Sequence, residues 1–180
     1  EMYLILKKLN KSNKEISPEI YPTAKVLYKL SITILLGIPL SNNDCFTDSF
    51  LTPFQSEFDP EGIHSHQDGL IHIHPFTSSV TGKEAKLGVF LNAMGASLSK
   101  DGLELPGGAN FDSGVQCDGE QAVMQVVRWE DAFVGGAPTN IFLEDLEDVR
   151  FLNDREAYTI ARAPIGYEIP LPNSVGNLEG

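Results

Sequence analysis

Apolar and polar residues alternate one by one in "GIHSHQDGLIHIHPF" (62–76). Period-two alternation predicts two short strands, with Ile63, Ile71 and Ile73 on one face and His64, His72 and His74 on the other. The period lengthens in "TGKEAKLGVFLNAMG" (81–95), where Leu87, Phe90, Leu91 and Met94 fall at helical spacing. Thr81 and Glu84 there have the spacing of a capping box, and Gly95 suits the stop. "ASLSKDGLEL" predicts a hairpin around Asp101-Gly102, and "AVMQVVRW" (122–129) a strand rich in β-branched residues. "NIFLEDLEDVRFLNDREAYTIARAP" predicts a strand, a short turn, and two strands joined at Asn153-Asp154. The glycine-rich "PGGANFDSGVQCDGEQ" lacks the Lys-Ser/Thr pair of a phosphate loop.

The order hairpin, helix, strand, loop, strand, strand predicts an α+β fold. Its expected form is a mixed β-sheet with one main covering helix, in the β-grasp (ubiquitin-like) order of elements. The alternative is a small β-sandwich or barrel with one helix. Four segments are expected: a Lys-rich peripheral arm over 1–29, an apolar segment and irregular connection over 30–61, the α+β domain with its histidine hairpin over 62–164, and an extended Pro-rich tail over 165–180. The most apolar run, "LSITILLGIPL" (30–40), is too short to span a bilayer and reads as a buried strand or core segment.

Charge sharpens this division. Residues 1–40 carry six Lys against three Glu, a net of +3, whereas 41–180 carry seven basic against 22 acidic side chains, a net of −15. The overall −12 argues against nucleic acid and anionic membranes as partners, since both are held by clustered Lys and Arg. A chain of 180 residues with 42% hydrophobic content can bury a core of its own. It begins with Glu, so a signal or membrane tether upstream is compatible with the sequence. Cys45 and Cys117 both sit in polar, turn-like sequence, which fits either one disulfide or two unrelated thiols. Neither has a second Cys or a His at zinc-finger spacing.

The four histidines of the chain all lie within eleven residues, at 64, 66, 72 and 74. Two turns could join the strands that carry them. With Asp68-Gly69 as a two-residue turn, His66 pairs with Ile71 and His64 with Ile73, which mixes the faces. With Gln67-Asp68-Gly69 as a three-residue loop and Gly69 left-handed, His64 pairs with His72 and Ile63 with Ile73. Only the second register gathers all four histidines on one face and the isoleucines on the other, so burial selects it. Opposed side chains then have Cβ atoms about 5 Å apart, close enough for His64 and His72 to share an ion. Imidazole suits zinc, copper, nickel and iron. Zinc or another transition metal is thus the expected cofactor, with His64, His66 and His72 as ligands, His74 as a fourth, and Asp68 orienting one ring through its second nitrogen. The competing readings are a hydrogen-bonded structural or substrate-binding cluster, a pH-sensing patch among them, and chance.

The hairpin departs from known His-x-His metalloenzymes. The deubiquitinase-like metalloprotease motif needs Ser and Asp ligands where His74 and its successors stand; cupins need a Glu where Leu70 and Ile71 stand. The histidine motif, with "AKLGVFLNAMGASLSKDGLELPGG" and "CDGE", resembles an uncharacterised bacterial family common in actinobacteria and marine metagenomes. Its members carry His-[Ser/Thr]-His-x-Asp-Gly-[Leu/Val]-Ile-His behind an N-terminal membrane anchor, and the resemblance covers roughly 36–171. It implies an extracytoplasmic or membrane-anchored setting rather than a cytoplasmic one, and matches Cys45 and Cys117 to the family's two cysteines. The family's Trp-His pair before the first Cys has no His here, and no activity comes with the resemblance.

Two function classes follow. One is an extracytoplasmic metal-binding domain; as an enzyme it would be a metal-assisted hydrolase, with Asp68 the one candidate base. The other is a non-enzymatic interaction module that presents the histidine face and acidic loops to a protein partner.

Overall fold

The computed structural model describes residues 28–37, 46–51, 61–66, 68–74, 77–117 and 119–179. Residues 1–27 of the arm expected over 1–29, most of the connection before Glu61, and Cys45 lie outside the described residues, while Tyr28 and Lys29 open a strand. The fold is α+β, built on a mixed sheet whose central pair is parallel. Strand β1 (Tyr28–Gly37) runs alongside β11 (Ala157–Pro164), with Ser31 opposite Ala157 and Leu36 opposite Arg162. The sheet therefore takes a central strand from upstream of residue 62. On its other side β1 pairs antiparallel with β2 (Phe46–Leu51) and with β4 (Leu70–Ile73), and β4 with β3 (Ile63–His64). Beyond β11 come β9 (Glu120–Trp129) and β10 (Asn140–Phe142), both antiparallel. The path across the sheet is β10-β9-β11-β1-β4-β3, with β8 (Gln116–Cys117) pairing on β9.

Each face of this sheet has its own cover. Ile63, Ile71, Ile73, Met124, Val126, Tyr158 and Ile160 join one buried cluster with Leu87, Phe90, Leu91 and Met94 of the helical segment. A smaller meander, β5 (Ser97–Ser99), β6 (Gly102–Glu104) and β7 (Asn110–Asp112), adds Leu98 and Leu103 to the same cluster. The opposite face presents Val127, Trp129, Ala157, Ala161 and Ala163, to which Ile169 adds, with Leu171, Val175 and Leu178 packed against them. Three alanines on β11 leave this face shallow. The chain after Pro164 fills it, first through Ile169 and Leu171 and then through Val175 and Leu178 of the 3-10 segment Asn173–Glu179. The segment after Pro164, expected as a tail, thus covers the second face; Thr159 Oγ1 donates to the Pro170 carbonyl at 3.0 Å.

The helix is shorter than its sequence suggests. The apolar stripe is buried as expected, but α1 spans only Leu87–Ala93, with no side-chain cap at Lys86. Thr81 Oγ1 donates to the Ser78 carbonyl instead of forming the expected capping box with Glu84. The cause is tertiary. Lys86 bridges Arg150, the Leu87 N–H donates to the Val149 carbonyl, and the Phe151 N–H donates to the Ala85 carbonyl. That short ladder holds Ala85 and Lys86 extended, so only 3-10 turns, Ser78–Val80 and Gly82–Glu84, form ahead of it. At the other end Gly95 has φ +75°, and the Ala96 N–H reaches the Leu91 carbonyl, closing the helix as a Schellman motif. The β5–β6 hairpin pairs Ser99 with Gly102, so its turn is Lys100-Asp101, one residue earlier than expected.

Candidate functional site: the histidine hairpin

The ladder pairs Ile63 with Ile73 and His64 with His72, and the His74 N–H donates to the Gly62 carbonyl at 2.6 Å. This is the register that separates isoleucines from histidines. Gly69 has φ +73°, the left-handed conformation the turn requires of it. The isoleucines enter the core beside α1. Alternation places the histidines on the face shared with the C-terminal segment.

The four imidazoles form one group. His64 stacks on His72 (centroids 5.6 Å, planes 17° apart) and on His74 (5.1 Å, 9°). His66 meets His64 edge-on at 4.5 Å and lies 4.8 Å from His72. The Nε2 atoms of His64 and His66 are 3.0 Å apart, a hydrogen bond in which one is protonated and the other accepts. His72 is buried, and its Nε2 lies 2.8 Å from Asp68 Oδ2. The other Asp68 oxygen accepts the Leu70 N–H at 3.0 Å. Asp68 therefore closes its own turn and also pairs with His72 through Nε2.

This contact fixes the chemistry of His72. Burial pushes its pKa down, the Asp68 hydrogen bond and charge pull it up, and His66 and His64 push it down again, leaving it below 6.5. Partial burial raises Asp68, but the His72 and Leu70 hydrogen bonds outweigh that and hold it below 3.8. At neutral pH a neutral His72 thus donates from Nε2 to a carboxylate, and Nδ1 keeps its lone pair. Below 6.5 the unfolded chain binds this proton more readily than the folded protein, so acidification destabilises the fold. Asp68 adds to the loss only below 3.8. Between pH 7 and 5, wild type should lose more melting temperature than His72→Gln, as read by thermal melts of both; equal losses would refute the assignment.

Among the described residues, no three His, Cys, Asp or Glu side chains are disposed to hold one metal ion. The fit to a metal is therefore partial. Zinc bonds imidazole nitrogen at about 2.0–2.1 Å, so two such ligands in a tetrahedral shell stand about 3.3 Å apart. The His64–His66 nitrogen pair, at 3.0 Å, is near that spacing. His72 would have to contribute through Nδ1.

Two residues that hold the site carry no local signal in the sequence. A Cβ on Gly69 would lie 2.3 Å from the Ser174 Cβ, so the turn packs directly on the C-terminal segment. Asn177 Nδ2 donates to the Asp68 carbonyl at 2.6 Å. Both belong to the 3-10 segment Asn173–Glu179, more than a hundred positions from the hairpin. Ser65, between two histidines, is fully buried, and its hydroxyl has no partner among the described residues. Cys117 is buried beside Ala122 and Val115. No helix among the described residues is long and apolar enough to cross a membrane. No family model matches this chain, and no curated protein or solved structure matches it.

Proposed function

We propose that the hairpin is a transition-metal-binding site of the zinc class. The observation that carries this reading is the His64–His66 nitrogen pair, spaced close to two ligands of one ion. His72 enters through Nδ1, with Asp68 behind it as the carboxylate that sets its tautomer and raises its basicity. His74, stacked on His64, is the fourth candidate, reached by rotating its ring. Turning the stacked rings toward a shared ion is the rearrangement that binding requires. As an enzyme, such a centre would activate water for hydrolysis. In the β-grasp reading of the fold, β4-β1-β11-β9-β10 corresponds to the five-strand order with a central parallel pair, and α1 covers one face. What supports it is the strand path and the parallel β1–β11 register.

Protein purified without a histidine tag should carry about one equivalent of metal by elemental mass spectrometry, or take it up on titration. Zinc at a hundredfold excess over Kd should stabilise it by about 2.7 kcal/mol. For a chain of this size that is a rise of about 7 °C in melting temperature. The double variant His64→Ala/His66→Ala should lose both. No uptake and no thermal shift with zinc, copper, nickel or iron(II) would end the metal reading. The second reading, an interaction module that presents its histidine face to a protein partner, draws on the Asp68–His72 pairing, which completes a polar network without an ion.

A further inference from the structure

The histidine hairpin and the C-terminal segment meet at two adjoining points. One is steric: the Gly69 Cα faces Ser174, with no room for a Cβ between them. The other is polar: Asn177 donates to the Asp68 carbonyl at 2.6 Å. The segment is itself held on the sheet, since Val175 and Leu178 pack against the second core cluster. Asp68 is thus gripped from behind through its backbone, while its carboxylate faces forward to Leu70 N and His72 Nε2. A carboxylate on a loose turn would share its oxygens with water, and the imidazole would lose its reason to prefer one tautomer.

We propose that Asn177 is a positioning residue for the histidine site, acting through Asp68 to hold His72 as the Nε2–H tautomer with Nδ1 free to take a ligand. The proposal rests on the metal-binding reading for its consequence, and on the Asn177–Asp68–His72 chain for its geometry. The C-terminal segment is then part of the site: it sets which nitrogen of His72 is presented, although it contributes no ligand of its own.

The test compares wild type, Asn177→Ala and Asn177→Gln by nitrogen-15 spectra of the imidazole rings, followed by zinc titration. Wild-type His72 should show a protonated Nε2 and an unprotonated Nδ1. Asn177→Ala should show mixed tautomers at His72 and about tenfold weaker zinc binding, the low end of what losing an outer-shell partner costs. Asn177→Gln, which keeps the amide, should recover part of both. Thermal melts followed by Trp129 fluorescence would identify a variant that fails to fold, and Asn177→Gln then carries the comparison. An unchanged His72 tautomer in folded Asn177→Ala would overturn the inference, whatever zinc does. Absence of zinc binding in wild type, with the tautomer still shifted in the variant, would instead overturn the metal reading and leave the positioning role standing.

Discussion

Replacing Gly69 with alanine is expected to lower the melting temperature by about 9 °C, at 2–4 °C per kcal/mol for a chain of this size. Two costs add. Gly69 has φ +73°, where an L side chain costs about 1 kcal/mol. The new Cβ would also lie 2.3 Å from the Ser174 Cβ, so turn and C-terminal segment must separate. Overpacking of that kind costs about 1–3 kcal/mol. Gly82 supplies the control: its φ is +53°, but a Cβ there meets nothing within 4 Å. Gly82→Ala should therefore show only the backbone cost, about 1 kcal/mol. The double variant Gly69→Ala/Ser174→Gly should regain the steric part. Equal losses for Gly69→Ala and Gly82→Ala would mean that the hairpin and the C-terminal segment are not in contact.

The second large effect is expected at Glu156, a carboxylate with no exposure, at the entry to β11. It accepts the Leu152 N–H at 2.9 Å, the Asn153 side-chain amide at 3.4 Å, and the Tyr158 hydroxyl. Tyr158 has a second acceptor in the Arg150 carbonyl at 3.2 Å, whereas the Leu152 N–H and the Asn153 side-chain amide have no other acceptor among the described residues. Glu156→Ala should take the acceptor from two part-buried donors, a loss of about 2 kcal/mol in all because water can replace part of each bond. Glu156→Gln keeps one acceptor oxygen and should cost about half as much. The two variants also differ from wild type in pH dependence. Burial pushes Glu156 above its ordinary 4.5, outweighing the hydrogen bonds that favour the charge. A raised carboxyl favours the fold below 4.5 and loses that contribution as pH rises through its folded value. Wild type should therefore lose stability on that rise relative to Glu156→Gln. Chemical denaturation at several pH values would reveal it, and parallel profiles would refute it.

What could be read from the chain was whatever burial enforces locally. The hairpin register followed from keeping Ile63, Ile71 and Ile73 together, because a slip of one residue would expose all three. The Leu87, Phe90, Leu91 and Met94 stripe and the Gly95 stop were legible for the same reason. What lay hidden depended on partners distant in sequence. The Thr81–Glu84 spacing promised a longer helix, but pairing of 85–87 with 149–151 draws the backbone straight. The site's rear support, Ser174 and Asn177, lies in a segment whose prolines and glycine suggest only an extended tail. That Asp68 lies in the turn beside the histidines was legible from the spacing. That it grips His72 through Nε2 depends on ring orientation, which periodicity does not encode.

The parallel β1–β11 pair has a further consequence, for the order in which the molecule can be made. Its register joins Ser31 to Ala157, two stretches far apart in sequence. During synthesis the early strand must wait, with its β11-facing edge unpaired, until β11 has emerged. Closing so long a loop before any reward in contacts is slow, and unpaired edges invite association meanwhile. Because the segment that braces the histidine turn follows β11, the site cannot be completed until that strand and the segment after it have both been made.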